Sequence, residues 1–359
     1  MLKGAFIMKI TEKDMIVKAQ KAIRSCLEDV PFVRILSVEQ EPRWDMGRPD
    51  LIVNIEISGT ELLLVIETKS SGQPRIARDA VNQILRYVNR RLNCYGIFAA
   101  PFVSKQSSEI CKEGGIGYLD LAGNCYLSFG SIHIEREGKP NLYKRKNYLR
   151  SFYYPKAERI LRVLLTNPNR EWKIQELAKE SNTSIGQVAN VKKLLADHEW
   201  INTKYGRLSL SDPETLLSEW STKYNFKRNT LKHYYSLKKV PDIEYDLSDY
   251  CKYKNIKYAF TAFSGAARYS PYVKYQRVMA YIQESELDFE HALNLKTVQS
   301  GANLTLIIPY DEGVFYKSKE IDNCFVAAPI QIFLDLINMK NRGEEAADFL
   351  FEQVIKSTW

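Results

Sequence analysis

Two apolar runs on either side of a short turn signal, near the start of the chain, constrain the fold more tightly than any other stretch. Residues 50–57 and 62–69 are of strand length and rich in Ile, Leu and Val, and Ser58-Gly59-Thr60-Glu61 separates them. Runs of this kind joined by a Gly-containing turn read as a β-hairpin. With Gly59 and Thr60 as the two-residue loop, Ser58 faces Glu61, Ile52 faces Glu67 and Asp50 faces Lys69. Side chains alternate across a strand, so Glu67 and Lys69 share one face and Asp50 joins them from the neighbouring strand. Two adjacent carboxylates repel each other, and a hard divalent cation relieves the repulsion. The lysine can then orient or deprotonate an attacking water and screen the charge on a phosphate.

Around the hairpin the pattern is mixed. Helical spacing covers residues 12–28 and 74–92, the second with Pro74 at its first turn, and a shorter helix is expected at 104–112. Short strands are expected at 95–100, 118–120, 125–129 and 133–136. The helix at 74–92 carries Gln83 and Tyr87, four residues apart and so on one face. It also carries Arg75, Arg78, Arg86, Arg90 and Arg91, suited to phosphate contacts. Pro49-Asp50, Glu67-Thr68-Lys69 and the run from Gln83 to Tyr87 together resemble the PD-(D/E)xK nuclease superfamily, with the Q-x-x-x-Y motif of its RecB-like branch. The resemblance implies a restriction-endonuclease-like α/β domain over 1–140. It implies Asp50 and Glu67 as ligands of Mg²⁺ or Mn²⁺, Lys69 as a catalytic residue, and Gln83 and Tyr87 as part of the same site. The superfamily keeps this fold with and without activity, so a metal-dependent deoxyribonuclease and a metal-free, inactive relative both stay open.

A polar, aromatic and basic linker at 141–153, containing Lys144-Arg145-Lys146, leads to a second pattern. Helical spacing over 156–166 stops at Asn167-Pro168-Asn169. A helix at 174–180, a turn at Ser181-Asn182-Thr183 and a helix at 185–198 with Ser184 as its N-cap follow. Strands at 200–204 and 207–210, turning at Tyr205-Gly206, complete a winged helix-turn-helix over 154–212. In that geometry the second helix of the motif lies in the major groove. Gln187 and Asn190 are placed for base edges, and Lys192, Lys193, Lys204, Arg207, Arg170 and Lys173 for phosphates.

Charge supports a nucleic-acid partner. Residues 1–150 carry 23 basic and 17 acidic side chains, residues 151–240 carry 16 and 9, and residues 241–359 carry 12 and 17. The first two regions are therefore basic, which favours a polyanion such as double-stranded DNA, and the last is acidic. No apolar run reaches the roughly 20 residues that span a bilayer, the N-terminus is too weakly apolar for a signal peptide, and the six cysteines form no close pair. The expectation is a cytoplasmic protein with buried thiols and no membrane contact.

The last region is expected to hold strands at 275–282 and 303–308 and helices at 329–339 and 344–355. The runs from Phe260 to Ala267, from Pro329 to Leu336 and from Arg342 to Ala347 resemble the AbiEi family of type IV antitoxins, as does Gly117 to Asn124. The family resemblance implies, for 213–359, an α/β domain like a decayed nucleotidyltransferase. Ser264-Gly265 is the one feature suited to approach a phosphate, and the following strand lacks the acidic pair that a metal needs. The resemblance further implies a regulator that represses its own operon beside a nucleotidyltransferase-like toxin. Two functions stand at this point: a winged-helix DNA-binding regulator or antitoxin carrying a nuclease-like domain, and an active Mg²⁺-dependent nuclease of a defence or mobile-element system. The acidic last region would meet a toxin or a second copy of the chain.

Overall fold

The computed structural model describes residues 11–28, 30–44, 47–143, 153–271, 274–283, 289–339 and 342–359. The chain is mixed α/β and divides into two compact units, Met1–Leu149 with Leu195–Glu199, and Arg150–Leu194 with Trp200–Trp359. Lys144-Arg145-Lys146 lies outside the described residues.

The first unit opens with helix α1 (Glu12–Leu27), which starts sharply because Thr11 and Asp14 cap each other reciprocally. Strands β1 (Val33–Gln40), β2 (Leu51–Ile57) and β3 (Thr60–Thr68) follow, then helix α2 (Pro74–Val88), β4 (Cys94–Ala100), helix α3 (Lys105–Glu113), β5 (Gly117–Asp120), β6 (Cys125–Phe129) and β7 (Ile132–Arg136). The seven strands form one sheet in sequence order. β3, β4 and β5 run parallel and the other pairs antiparallel. Leu51, Val53, Ile55, Leu64, Ile66 and Ile97 bury against Met15, Ala19 and Ile23 of α1. Phe98, Ala100 and Tyr118 bury with Ala77, Ala80, Ile84 and Ile110, from α2 and α3. The sheet is thus sandwiched between α1 and the α2–α3 pair, and alternation along β3 turns Val65 and Glu67 toward α2. Strand β1 was not expected from the sequence. A bulge between Ile35 and Ser37 shifts its register and interrupts the alternation that would have marked it.

The second unit begins with α4 (Pro155–Thr166), α5 (Ile174–Glu180), α6 (Ile185–Asp197, whose residues from Leu195 group with the first unit) and a hairpin of β8 (Ile201–Lys204) and β9 (Arg207–Leu210). Trp172 exchanges both backbone hydrogen bonds with Leu208 and adds a third rung to the hairpin. Then come α7 (Pro213–Lys223), β10 (Thr230–Tyr235), α8 (Val240–Tyr253), β11 (Tyr258–Phe260), α9 (Ala262–Tyr269), β12 (Val278–Ile282), α10 (Phe289–Leu293), β13 (Lys296–Thr297), β14 (Leu304–Ile308), β15 (Lys319–Ile321), β16 (Cys324–Val326), α11 (Pro329–Ile337) and α12 (Gly343–Leu350). The sheet order is β13-β10-β14-β12-β11-β16-β15.

Residues 154–194, 200–212 and 213–359 group in the second unit. Polar bonds join them: Arg159 Nε donates to Asp311 Oδ1 at 2.7 Å, Arg162 Nε to Gln331 Oε1 at 2.8 Å, and Trp359 Nε1 to the Leu165 carbonyl at 3.1 Å. All six cysteines are free thiols and five are buried; Cys94 is half-exposed. Among the described residues no helix is long and apolar enough to cross a membrane.

Candidate functional site

The β2–β3 hairpin turns on Ser58 and Gly59, with φ of 49° and 86°, and pairs Ile57 with Thr60. The expected loop of Gly59 and Thr60 is therefore corrected by one residue. A tight two-residue hairpin loop of this type needs positive φ at both central positions, which a β-branched Thr resists. The register moves by two, so Ile52 pairs with Val65 instead of Glu67. One step beyond the Leu51–Ile66 pair, Asp50 lies across from Glu67 and not from Lys69. A shift of two keeps every side chain on its face, which is why the convergence survives the error.

Four of the five expected site residues form one connected cluster. Glu67 is 3% exposed, and its Oε1 accepts from Lys69 Nζ at 2.7 Å and from Gln83 Nε2 at 2.7 Å. Gln83 Oε1 accepts from the same Lys69 Nζ at 3.1 Å, and Gln83 Nε2 also meets the Tyr87 hydroxyl at 3.1 Å. Asp50 bonds elsewhere: its Oδ2 accepts from the Thr68 amide at 2.7 Å and the Thr68 hydroxyl at 2.8 Å. That pins the start of β2 to the end of β3. Tyr87 stands edge-on to Trp44, with ring centroids 6.3 Å apart, and the Arg91 guanidinium lies 4.3 Å above Trp44. Gly47, at φ 137°, leaves the room that Tyr87 occupies, since a β-carbon there would come within 3.3 Å of its ring and hydroxyl.

Burial raises the Glu67 carboxyl above the usual carboxylate range; the Lys69 hydrogen bond opposes the shift, and the nearby Asp50 charge adds to it. Its second oxygen, Oε2, is buried without a hydrogen-bond partner. A buried carboxylate oxygen with no donor is costly, and a cation is one way to satisfy it. Among the described residues no group of three or more His, Cys, Asp or Glu side chains could hold a metal, so a cation here would rest on the two carboxylates expected from the sequence, Asp50 and Glu67. Two carboxylates are within what Mg²⁺ takes when it keeps several waters.

The second group of candidates lies on α6 and the β8–β9 hairpin. Ser184 Oγ accepts from the Gln187 amide at 3.2 Å and caps α6, while Val188, Val191 and Leu194 are buried. Asn190 and Lys193 are exposed, as are Lys204, Arg170 and Lys173; Gln187, Lys192 and Arg207 are half-buried. Several of the cations already have local partners, Lys204 over the Tyr205 ring among them. Arg207 lies 3.8 Å from Glu176 Oε2, and the Arg170 guanidinium stacks 3.8 Å from the Trp172 ring. The sequence reading missed Ile185 and Ala189, both exposed on the same face.

In the last region the expected phosphate approach at Ser264-Gly265 is corrected. Ser264 is fully buried, and its hydroxyl donates to backbone oxygens of Thr261 and Met279, each at 3.0 Å. A β-carbon on Gly265 would meet the Phe260 carbonyl at 2.8 Å, so this glycine serves close packing. The sequence reading also missed Asp335, which is fully buried. It accepts from Tyr281 Oη at 2.8 and 2.9 Å, Tyr224 Oη at 3.0 Å, Gln331 Nε2 at 2.9 Å and the Thr261 hydroxyl. Burial pushes its carboxyl up to about 6 despite those donors. The available signal was Gln331 and Asp335 at i and i+4 within the apolar run of α11, an unusual place for two polar side chains.

Residues 209–356 match a family model. Its description is transcriptional regulator, AbiEi antitoxin, type IV toxin–antitoxin system. The match falls within the second unit, and the expected likeness at Gly117 to Asn124 lies outside it. Among solved structures, the chain is similar to SfsA of Pyrococcus furiosus in complex with Ca²⁺, at 19% identity and a TM-score of 0.20. That likeness covers 35% of this chain and 64% of that one, under two thirds of its length. No curated protein matches.

Proposed function

We propose that the chain is a DNA-binding transcriptional regulator of the type IV toxin–antitoxin kind, holding double-stranded DNA through a winged helix formed by α4 to β9. The observation that carries the reading is the AbiEi match at residues 209–356, which continues directly from a helix-turn-helix whose exposed side bears Asn190 and Lys193. Lys193, Lys204, Arg170 and Lys173 are exposed and Lys192 half-buried in the same motif, positive charge suited to phosphate contacts. Gln187 and Asn190 have the donor and acceptor pair that reads a base edge. The acidic C-terminal region is the part free for a nucleotidyltransferase-like toxin or a second copy of the chain. Lys193→Glu with Arg207→Glu is expected to weaken duplex binding at least a hundredfold in a salt titration and to flatten the salt dependence. Unchanged affinity would remove the winged helix from the DNA interface.

A second reading, Mg²⁺-dependent phosphodiester hydrolysis by a PD-(D/E)xK fold in the first unit, is favoured by the orphaned Glu67 Oε2. Asp50 and Glu67 would hold the cation, which supplies charge neutralisation and Lewis acidity at a phosphate. Lys69 Nζ, fixed between Glu67 Oε1 and Gln83 Oε1, is the donor that would orient water and meet charge developing on the phosphate. Gln83 holds both partners in place, and Tyr87 holds Gln83. Cleavage of duplex or single-stranded DNA with Mg²⁺ or Mn²⁺ that Lys69→Ala abolishes, with binding retained, is the supporting result. Intact DNA under both metals leaves the regulator reading alone.

A further inference from the structure

Helix α6 shows a face that charge and hydrogen bonding do not account for. Ile185, Gly186, Ala189, Asn190 and Lys193 are all exposed, and their spacing of i, i+1, i+4, i+5 and i+8 makes them one continuous stripe. Two of the five are apolar side chains in water. Ile185 is 55% exposed, although the buried side of the same helix has Val188, Val191 and Leu194 for its core. Ile185 and Ala189 are one turn apart and therefore adjacent on the surface. Between them and Asn190, Gly186 has no neighbour closer than the Ser184 hydroxyl, 4.0 Å from where a β-carbon would sit, so this end of the helix is bare enough for another molecule to approach its backbone.

Lys193 ends the stripe and Lys192 adjoins it on the helix, while Lys204, Arg170 and Lys173 are exposed on the flanking segments of the same motif. Positive charge beside a small apolar patch favours a polyanion over a basic or wholly apolar partner, and Asn190 beside it has a base edge to read only in a duplex groove. In the major groove of DNA the apolar group on offer is the C5-methyl of thymine, and the base paired with it shows the N6 and N7 pattern that Asn reads.

We infer that α6 reads an A·T pair, with Ile185 and Ala189 packed on a thymine methyl and Asn190 bonded to an adenine edge beside it. The inference rests on the proposed winged-helix DNA reading and adds the base that it selects. The side chain nearest the N-terminus of α6 becomes the specificity determinant, while the lysines supply affinity without sequence preference.

The test starts from duplexes recovered by the full chain from a randomised 25-base-pair pool, on the order of one recognition module in length. Thymines of the recovered duplex are then replaced one at a time by deoxyuridine, which removes only the methyl. At least one thymine position is expected to lose about fourfold in affinity, the worth of one methyl at about 0.8 kcal/mol. Ile185→Ser is expected to bind the thymine and deoxyuridine duplexes equally, with its salt dependence unchanged. Should Ile185→Ser not fold, Ala189→Ser is expected to halve the discrimination, and the deoxyuridine scan on the unaltered chain needs no variant. The inference is overturned if every deoxyuridine duplex binds as the parent does, or if Ile185→Ser still discriminates fourfold. A pool that shows no enrichment while the chain binds random DNA overturns the base reading and leaves the DNA interface standing. A chain that binds no DNA overturns both.

Discussion

Among the carboxylates that the two units bury, Asp335 and Glu67 both lie among polar side chains and are finished differently. Asp335, in the second unit, is surrounded by Thr261, Tyr224, Tyr281 and Gln331, all donating to it. Glu67, in the first unit, has both of its donors on one oxygen and none on the other. Burial raises both carboxyls. The closed shell reads as structure: donors from the end of α7, the β11–α9 junction, β12 and α11 are tied at one point. The open shell is the candidate site: Lys69 and the Gln83 amide both meet one oxygen of Glu67, and the other is left toward the neighbouring Asp50 charge. Saturation of hydrogen bonds, more than burial or titration, separates the two.

The comparison breaks most readily by removing each carboxylate. Asp335→Ala should cost about 3–5 kcal/mol of unfolding free energy by urea titration, since four buried donors lose their acceptor. Glu67→Gln should change it by less than about 1 kcal/mol, because the amide oxygen still receives Lys69 and a buried charge is gone. Equal losses would show that the two shells serve the same purpose.

The next effect is on pH. The folded-state Asp335 carboxyl, at about 6, titrates above its ordinary 3.8. The folded chain therefore binds this proton more tightly than the unfolded chain, and the associated stability is present below about pH 4 and lost as pH rises toward 6. The loss is about 3 kcal/mol over that window. Asp335→Asn should flatten that part of the melting-temperature profile; a profile parallel to the unaltered chain would contradict it.

Smaller effects test how the open shell is held. Gln83→Ala should weaken Mn²⁺ binding about 10- to 100-fold, the usual consequence of losing a group that orients a ligand. Tyr87→Phe removes only the hydroxyl that meets Gln83 and should weaken it less than about fivefold, near the worth of one hydrogen bond. If Tyr87→Phe matches Gln83→Ala, the aromatic group does more than hold the amide.

Much of this was legible in the chain because the signals are local. The hairpin, the Gln83–Tyr87 spacing and the Ser184 cap each depend on residues within a few positions of one another. Even the misplaced turn left the face of Glu67 and Lys69 correct, since strand parity tolerates a shift of two. The Asp335 cluster was not legible because Tyr224, Thr261, Tyr281 and Asp335 are brought together by the sheet and by α11, with no local period. Helix α8 was missed because its exposed Tyr245 and Tyr253 blur the apolar stripe. The polar pairs between the helix-turn-helix elements and the C-terminal region, such as Arg159 with Asp311 and Arg162 with Gln331, were not legible because they join residues far apart in the chain.

The open shell around Glu67 is the central claim, and a calorimetric titration of Mn²⁺ into the full chain at neutral pH tests it most directly. The expected result is one cation bound per chain, lost in Glu67→Gln and retained in Asp335→Asn. No binding to the unaltered chain, or the same binding in Glu67→Gln, would contradict it.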